Sequence, residues 1–350
     1  MTEFQANATY NEVVFSTEWR KHRGPEYEEY RRQWVDVPAS KQALDHPIHL
    51  DIETTTACNL RCPMCPRTLM VQQGTFGDEY GMMSGADYRR VIKQAAEIGV
   101  KSIKLNYLGE PLLHKEVVDQ VLFAKELGIV DVMMNTNGSA LTPRNSELLL
   151  RAGLDGLFVS LDAVNPKLFE QQRVGTSLGR VLDNLWEFRK LRDAIHPGCQ
   201  IRASMVMYQD PIWQRQFEAM AAVLDGVVDA IGWGHYVSHT DGDTPDGISR
   251  PKEYPEVPGF HCAQPFQRMF LKYCGNATIC CVDSADEEVV GNWRESDLWD
   301  IWNGDRYREI RGLHAGGKYY CMGICRKCYL PVSEPAVVLD STRLDLGGLG

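Results

Sequence analysis

The chain has 350 residues, of which 44% are hydrophobic and 24% charged, and its formal net charge is -10. This composition is that of an ordinary globular protein, and the length suits one large α/β unit with a smaller appended unit. No segment is apolar over the length of a transmembrane helix and no run of Lys and Arg forms a basic patch, so the sequence predicts no membrane and no nucleic-acid partner.

The first 46 residues are polar and rich in Arg, Glu and Tyr. They predict an N-terminal extension, residues 1–46, with one amphipathic helix that lies more at the surface than in the core. We therefore expect the first domain to begin at residue 47.

From residue 48 onward, short β-rich runs alternate with longer segments of helical periodicity. The predicted strands are 49–55, 102–108, 130–136, 156–162, 200–207 and 227–236. The predicted helices are 84–98, 115–127, 143–152, 177–194 and 211–225. Strands and helices that alternate at this spacing form right-handed crossovers and a parallel sheet. The sequence thus predicts an α/β fold over residues 47–237, a TIM-like partial (β/α)6 barrel, with an open doubly wound sheet as the alternative.

The chain after the barrel has a different composition. Residues 238–260 are dense in Asp, Gly and Pro, which predicts an irregular linker. Residues 261–335 predict a small Cys-rich α+β domain with a hairpin around Gly275 and a helix near 296–312. Residues 336–350 predict a frayed tail.

Eleven cysteines are present, and the first residues lack the basic and apolar regions of a secretory signal. We therefore expect a cytoplasmic protein whose cysteines serve metal or redox chemistry rather than disulfides. Three lie at 58, 62 and 65, and seven lie between 262 and 328. This distribution predicts two separate sulfur-rich sites.

The first site is a loop that follows the first predicted strand. Cys58, Cys62 and Cys65 are separated by three and two residues, at the end of the strand where barrel enzymes build active sites. Three thiolates can hold three irons of a 4Fe-4S cluster and leave the fourth iron open to a small molecule. Structural zinc is the competing assignment, but it takes four ligands, and no fourth Cys or His lies close by in the sequence.

The motif CxxxCxxC after a first strand resembles the signature of the radical S-adenosylmethionine (SAM) superfamily. The resemblance implies SAM bound to the open iron, with Cys58, Cys62 and Cys65 as the radical-generating centre. Tyr107-Leu-Gly-Glu-Pro111 resembles the GGEP motif of that family, with Leu108 in place of the first glycine. It implies that Gly109 and Glu110 contact SAM.

Further elements of the barrel resemble the SAM-binding elements of the same family. They imply cofactor contacts from Asn137 and Ser160, from Asp162, and from Arg173, which can pair with a carboxylate. The alternatives are a simple Asn-Gly turn at Asn137 and a solvated charge at Arg173.

The second cysteine set resembles the auxiliary-cluster module called SPASM, or its shortened form, twitch. The match is carried by Cys262, Gly275 and Cys280, followed downstream by the pair Cys325 and Cys328. The resemblance implies one auxiliary 4Fe-4S cluster, so that with the SAM-binding cluster there are two, and its ligands would be Cys262, Cys280, Cys325 and Cys328. Cys281 and Cys321 are alternative ligands, and a zinc ribbon is the alternative metal site.

The layout resembles the dehydrogenases and epimerases of aminoglycoside pathways. It implies a small polar substrate, of the sugar or cyclitol kind, and an electron donor such as flavodoxin or ferredoxin. His235 and Tyr236, at the end of the sixth predicted strand, are candidate substrate contacts. The alternatives are modification of a ribosomally made peptide or protein, and a non-catalytic iron-sulfur carrier or maturation partner.

Overall fold

The structure is a computed structural model, and it describes residues 11–208, 210–236, 253–333 and 338–340. Its strands are β1 Asn11–Val14, β2 His49–Ile52, β3 Ser102–Leu105, β4 Asp131–Thr136, β5 Gly156–Ser160, β6 Gln200–Met207, β7 Ala230–His235, β8 Arg268–Leu271, β9 Asn276–Thr278, β10 Val289–Asn292 and β11 Val338–Asp340. Its helices are α1 Pro25–Ala39, α2 Pro66–Gln72, α3 Gly85–Ile98, α4 Val117–Glu126, α5 Pro143–Arg151, α6 Pro166–Gln172, α7 Leu178–Ile195, α8 Pro211–Leu224, α9 Gln264–Gln267, α10 Leu298–Trp302, α11 Asp305–Ala315 and α12 Gly323–Arg326.

All described strands join one sheet, in the order β10-β9-β8-β2-β3-β4-β5-β6-β7-β1-β11. The six predicted barrel strands are β2 to β7, neighbours in chain order and parallel throughout, so the predicted partial α/β barrel is confirmed. The Cys-rich segment extends it, because β8 pairs in parallel with β2. The predicted hairpin around Gly275 is β8 and β9, with Gly275 at φ +112°. The predicted helix near 296–312 is divided into α10 and α11.

The barrel strands alternate between two environments, which decides what lines the lumen. In β6, Ile201, Ala203 and Met205 are buried, while the residues between them are partly open. Since successive side chains of a strand point to opposite faces, the buried set packs under the helices and the open set faces the barrel interior. The polar side chains that line the interior include Asp51 of β2, Lys104 of β3, Asn135 of β4, Ser160 of β5 and Ser204 of β6.

The predicted amphipathic helix of the N-terminal extension is α1, whose apolar face is buried against the barrel while most of its other residues are exposed. Tyr27, Tyr30 and Trp34 of α1 are buried in a second hydrophobic cluster against the barrel. β1 pairs antiparallel with β7 at the edge of the barrel. A helix with a polar composition can still bury one aromatic stripe, because only one face has to be apolar.

Arg23 ties this segment to the barrel through a buried ion-pair network. Its guanidinium lies 2.7 Å from Asp131 and 3.1 Å from Asp155, and all three side chains are nearly inaccessible. Arg23→Met would leave two buried carboxylates without this partner, so we expect a loss of about 3–5 kcal/mol in unfolding free energy.

The control is Arg20→Met, since the Arg20–Glu28 pair is about half exposed and should contribute less than about 1 kcal/mol. Thermal or urea unfolding of both variants measures the difference. Equal stability of the two variants would contradict the network's role.

Among the described residues, no helix is both long and apolar enough to cross a membrane. The linker predicted at 238–260 is described only from residue 253 onward. Of the tail predicted at 336–350, the described residues 338–340 form β11, which pairs in parallel with β1, so this part of the tail is not frayed.

Candidate active site

The first cysteine loop leaves β2 and enters α2. Cys62 is buried, Cys58 and Cys65 are half-buried, and Cys65 is the residue that caps the start of α2. Burial raises the pKa of Cys58 and, to about 11, that of Cys62, and the Cys65 thiol lies close enough to add to both shifts. Thiols that resist ionisation become thiolates when a cationic metal centre is bound to them.

A buried arginine holds this loop in shape. Arg67 donates to the Thr56 carbonyl at 2.7 Å and to the Glu79 carbonyl at 2.9 Å. The loop is thereby fixed against the segment before α3 without using a thiol, so the cysteines stay available as ligands.

Gly109 and Glu110 pack directly on the cysteine loop. A Cβ on Gly109 would lie 2.0 Å from the Thr55 carbonyl oxygen, so only glycine fits at this approach, and the Glu110 amide donates to the Ala57 carbonyl at 2.8 Å. The Glu110 carboxylate is buried and accepts from the Thr136 hydroxyl at 2.6 Å and the Asn137 amide at 2.7 Å. Burial raises its pKa. Glu110 therefore connects the end of β4 to the cysteine loop, and its contact with SAM stays a prediction.

Asn137 also links the end of β4 to the cysteine loop. Its side-chain amide donates to Asn59 at 3.0 Å, and its oxygen accepts from the amide and hydroxyl of Ser139. The side chain is therefore engaged within the protein, and contact with a cofactor would require it to exchange one of these partners.

Arg173 and Asp162 meet beside the Cys62 thiol. Arg173 Nε donates to Asp162 at 2.5 Å, and its Nη1 lies 3.8 Å from Cys62 Sγ. Burial alone would lower the pKa of Arg173, but Asp162 outweighs it and raises that pKa. Asp162 is fully buried and also accepts from the Val206 amide, so it positions Arg173 and has no surface open to a cofactor. Arg173 lines the cavity described below, as does Ser160.

The second site gathers five thiols around one wall of that cavity. They are Cys262, Cys280, Cys281, Cys325 and Cys328. These thiols affect one another's ionisation, and burial raises the pKa of Cys262 to about 11 and of Cys328 to about 12. Cys321 is exposed and does not line the cavity. Within the part of the chain that the structure describes, no three Cys, His, Asp or Glu side chains are close enough to hold a single ion.

A cavity of about 380 Å³ lies between the two cysteine sites. Cys65 and Arg173 line one side, the five thiols line the other, and the barrel strands supply the wall between them. The volume is in the range of sites for small molecules. Cys65 of the first loop and the five thiols of the second site thus line the same cavity.

The barrel wall carries a charged group that the sequence analysis did not identify. Lys104 Nζ lies 2.9 Å from Asp51, and His49 and Arg268 lie 3.4 Å and 3.5 Å from the same carboxylate. Burial would raise the pKa of Asp51, but Lys104, His49 and Arg268 outweigh it and hold that pKa well below its usual value. Asp51 and Lys104 therefore present a fixed ion pair to the cavity.

Several polar atoms of the cavity residues have no hydrogen-bond partner. They are Asn106 Oδ1, Tyr107 OH, Asn135 Oδ1 and Ser204 Oγ. Buried polar groups are nearly always satisfied in proteins, so these unpaired atoms mark a polar part of the cavity wall, although each atom is itself buried. Alternation along β4 and β6 was the sequence signal for Asn135 and Ser204, whereas Asn106 and Tyr107 follow the end of β3.

The predicted substrate contacts at the end of β7 are only partly described. Tyr236 is buried, lines the cavity, and packs 5.4 Å from Tyr208, ring centre to ring centre. The side chain of His235 lies outside the described atoms. Both assignments stay predictions.

Two stretches of the chain match known families. Residues 52–207 match the radical SAM superfamily, and residues 262–329 match SPASM, described as an iron-sulfur cluster-binding domain. The first stretch contains the loop of Cys58 and extends through β6, and the second contains the five thiols.

Curated proteins match over part of their length. GTP 3',8-cyclase of Limosilactobacillus fermentum is 35% identical over 139 residues, 39% of this chain and 40% of that protein. Probable GTP 3',8-cyclase of Saccharolobus solfataricus is 37% identical over 136 residues, 39% of this chain and 42% of that protein. The match thus spans about two fifths of these relatives.

Solved structures share the fold along most of the chain. SuiB of Streptococcus suis, bound to S-adenosylmethionine, has a TM-score of 0.62 at 17% identity, covering 91% of this chain and 82% of that one. The anSMEcpe structure with AdoMet has a TM-score of 0.58 at 12% identity, covering 84% and 94%. BtrN in complex with AdoMet and 2-DOIA has a TM-score of 0.52 at 19% identity, covering 80% and 92%. At these identities the similarity establishes the fold.

Proposed function

The chain belongs to the radical SAM superfamily and carries a C-terminal SPASM domain, and we propose that it dehydrogenates or epimerises a small polar substrate of the sugar or cyclitol kind. The observation that carries the proposal is the cavity of about 380 Å³ that both cysteine sites share. When bound, SAM and two 4Fe-4S clusters supply a 5′-deoxyadenosyl radical that abstracts hydrogen and an acceptor for the electron that an oxidised substrate gives up.

The chain's own residues fit these groups by their donor chemistry. We assign the three thiols of the first loop to the SAM-binding cluster, with Arg173 and Ser160 as cofactor contacts beside it. We assign an auxiliary cluster to Cys262, Cys280, Cys325 and Cys328. Cys281 is the alternative ligand, since it lies in the same group of thiols.

The polar residues that line the cavity favour the proposal of a hydroxylated substrate. Asn135, Ser204 and Tyr107 line the cavity, and their side chains carry groups of the kind that hydrogen-bond to hydroxyl groups. Asp51 stays ionised beside Lys104, so it can accept a hydrogen bond from a substrate without taking its proton. These groups would hold and orient the substrate in the cavity.

Modification of a peptide is the second candidate, because SuiB has also been solved with the precursor peptide SuiA, at a TM-score of 0.56. An iron-sulfur carrier is the third, and it would need no cavity between the clusters. We place the enzyme in the cytoplasm with flavodoxin or ferredoxin as its reductant, since its clusters need thiols that stay reduced.

The test is hydrogen transfer from labelled substrates. Anaerobically reconstituted and reduced protein is incubated with SAM and deuterated sugars, cyclitols or peptides, and 5′-deoxyadenosine is analysed by mass spectrometry. Deuterium from a sugar or cyclitol supports the proposal. Transfer only from peptides would replace it with the second candidate, and no 5′-deoxyadenosine with any substrate would favour the carrier.

Ser204→Ala should weaken substrate binding and leave SAM cleavage intact. A hydrogen bond of this kind contributes about 0.5–1.5 kcal/mol, so we expect KM for the transferred substrate to rise about 2- to 10-fold. Ser296→Ala, at an exposed position, is the matched control and should leave KM unchanged. An unchanged KM for Ser204→Ala would remove this residue from the substrate site.

A further inference from the structure

His314 lies in the last turn of α11 and contacts two of the proposed cluster ligands. Its ring is 1% exposed and lines the cavity. The ring lies beside that of Tyr319, with 6.4 Å between centres and 29° between planes, and its two hydrogen-bonding contacts orient it. A side chain held this firmly can direct a hydrogen bond at one chosen atom.

The two ring nitrogens of His314 have different partners. Nδ1 accepts from the backbone amide of Cys262 at 3.2 Å, and Nε2 lies 3.7 Å from Cys325 Sγ. A nitrogen that accepts a hydrogen bond carries no proton, so the ring proton is on Nε2. The proton therefore points at the Cys325 sulfur.

This tautomer also decides whether His314 is itself a ligand. Binding a metal through Nε2 would require the proton to move to Nδ1, where it would oppose the amide hydrogen of Cys262. The imidazole is therefore a hydrogen-bonding neighbour of the cluster ligands and not itself a ligand.

We propose that His314 donates a hydrogen bond from Nε2 to the sulfur of Cys325 and so raises the reduction potential of the auxiliary cluster. The inference rests on the proposed auxiliary cluster. A donor to a ligand sulfur withdraws electron density and favours the more negatively charged, reduced state. His314 is a positioning residue that makes the cluster a better electron acceptor, as an oxidation of the substrate requires.

The experiment is a redox titration of the anaerobically reconstituted full chain, followed by EPR, with iron and sulfide determined on each sample. His314→Leu should shift the midpoint potential of the auxiliary cluster to a more negative value. His314→Gln keeps an N–H donor and should stay near the wild-type potential. The SAM-binding cluster is the internal reference and should not change. His261→Leu is the matched control. It removes a second histidine ring whose Nε2 bonds to the Pro38 carbonyl instead of a cysteine sulfur, so the potential of the auxiliary cluster should not change.

An unchanged auxiliary potential in His314→Leu, or an equal shift in His314→Gln, would overturn the inference and leave the proposed function standing. Wild-type protein that assembles only the SAM-binding cluster would overturn both. Should His314→Leu not assemble, wild-type protein labelled with ¹⁵N-histidine decides the matter by pulsed EPR of the reduced auxiliary cluster. A weak nitrogen coupling supports the hydrogen bond, whereas a strong coupling of a ligand nitrogen, or no coupling, contradicts it.

Discussion

Replacing Cys62 with alanine is expected to abolish the formation of 5′-deoxyadenosine from SAM. Cys62 is the buried central thiol of its loop, and Arg173 lies against its sulfur. Only two thiols would remain for a cluster that needs three protein ligands. Mutating a residue that hydrogen-bonds to a metal ligand lowers metal affinity or activity about 10- to 100-fold. Loss of the ligand itself should therefore reduce SAM cleavage to background. The product is measured by chromatography after anaerobic reconstitution and reduction.

The control for Cys62→Ala is Cys274→Ala, which removes an exposed thiol. It should retain full cleavage of SAM and the full iron content. Substantial 5′-deoxyadenosine from the Cys62 variant would show that the loop is not the radical-generating site. That result would contradict the central assignment whatever the substrate is.

The barrel and its first cysteine loop were predictable because both depend on short-range patterns. Strands β2 to β7 are separated by helices at regular spacing, and the three cysteines follow the first of them on one loop. Such patterns report on local periodicity and on motif spacing. The hairpin at Gly275 was predictable for the same reason, since its positive φ favours glycine.

The burial of the N-terminal segment was not predictable from local patterns. Tyr27, Tyr30 and Trp34 pack with Ile48 and Phe266, and Arg23 pairs with aspartates more than a hundred residues away, so the partners of the segment are distant in the sequence. The composition of a segment gives its average polarity. It does not show which face of a helix will pack against another part of the protein. The pairing of β8 with β2 was missed for a similar reason, since it joins two parts of the chain that a linker separates.

The roles of the predicted cofactor residues are sharper in the structure than in the sequence. Asp162 and Glu110 are both buried and bonded within the protein, so they support their neighbours rather than face open space. Arg173 and Ser160 do face the cavity. A motif identifies which residues matter, but whether each touches a ligand depends on where its side chain points. His314 had no motif at all, and only its contacts reveal it.

Cys325→Ala is expected to spare SAM cleavage and stop turnover of the substrate. Its thiol lies with Cys262 and Cys328 at the second site, and it lines the same cavity as Cys65 of the first loop. Losing it should reduce the iron content from about eight to about four per chain, because the first cluster has its own ligands. Without the auxiliary cluster, the substrate radical has no nearby electron acceptor, so oxidised product should disappear while 5′-deoxyadenosine still forms.

Cys321→Ala is the informative comparison, since this exposed thiol is only four residues away in the sequence. We expect it to keep both clusters, because the structure places Cys321 outside the group that lines the cavity. Iron lost from Cys321→Ala and retained in Cys325→Ala would reverse the ligand assignment. Full iron in both variants would indicate that Cys281 completes the cluster, and a double Cys281→Ala/Cys325→Ala variant should then lose it. Product formation that survives in this double variant would show that the electron leaves the substrate by another route.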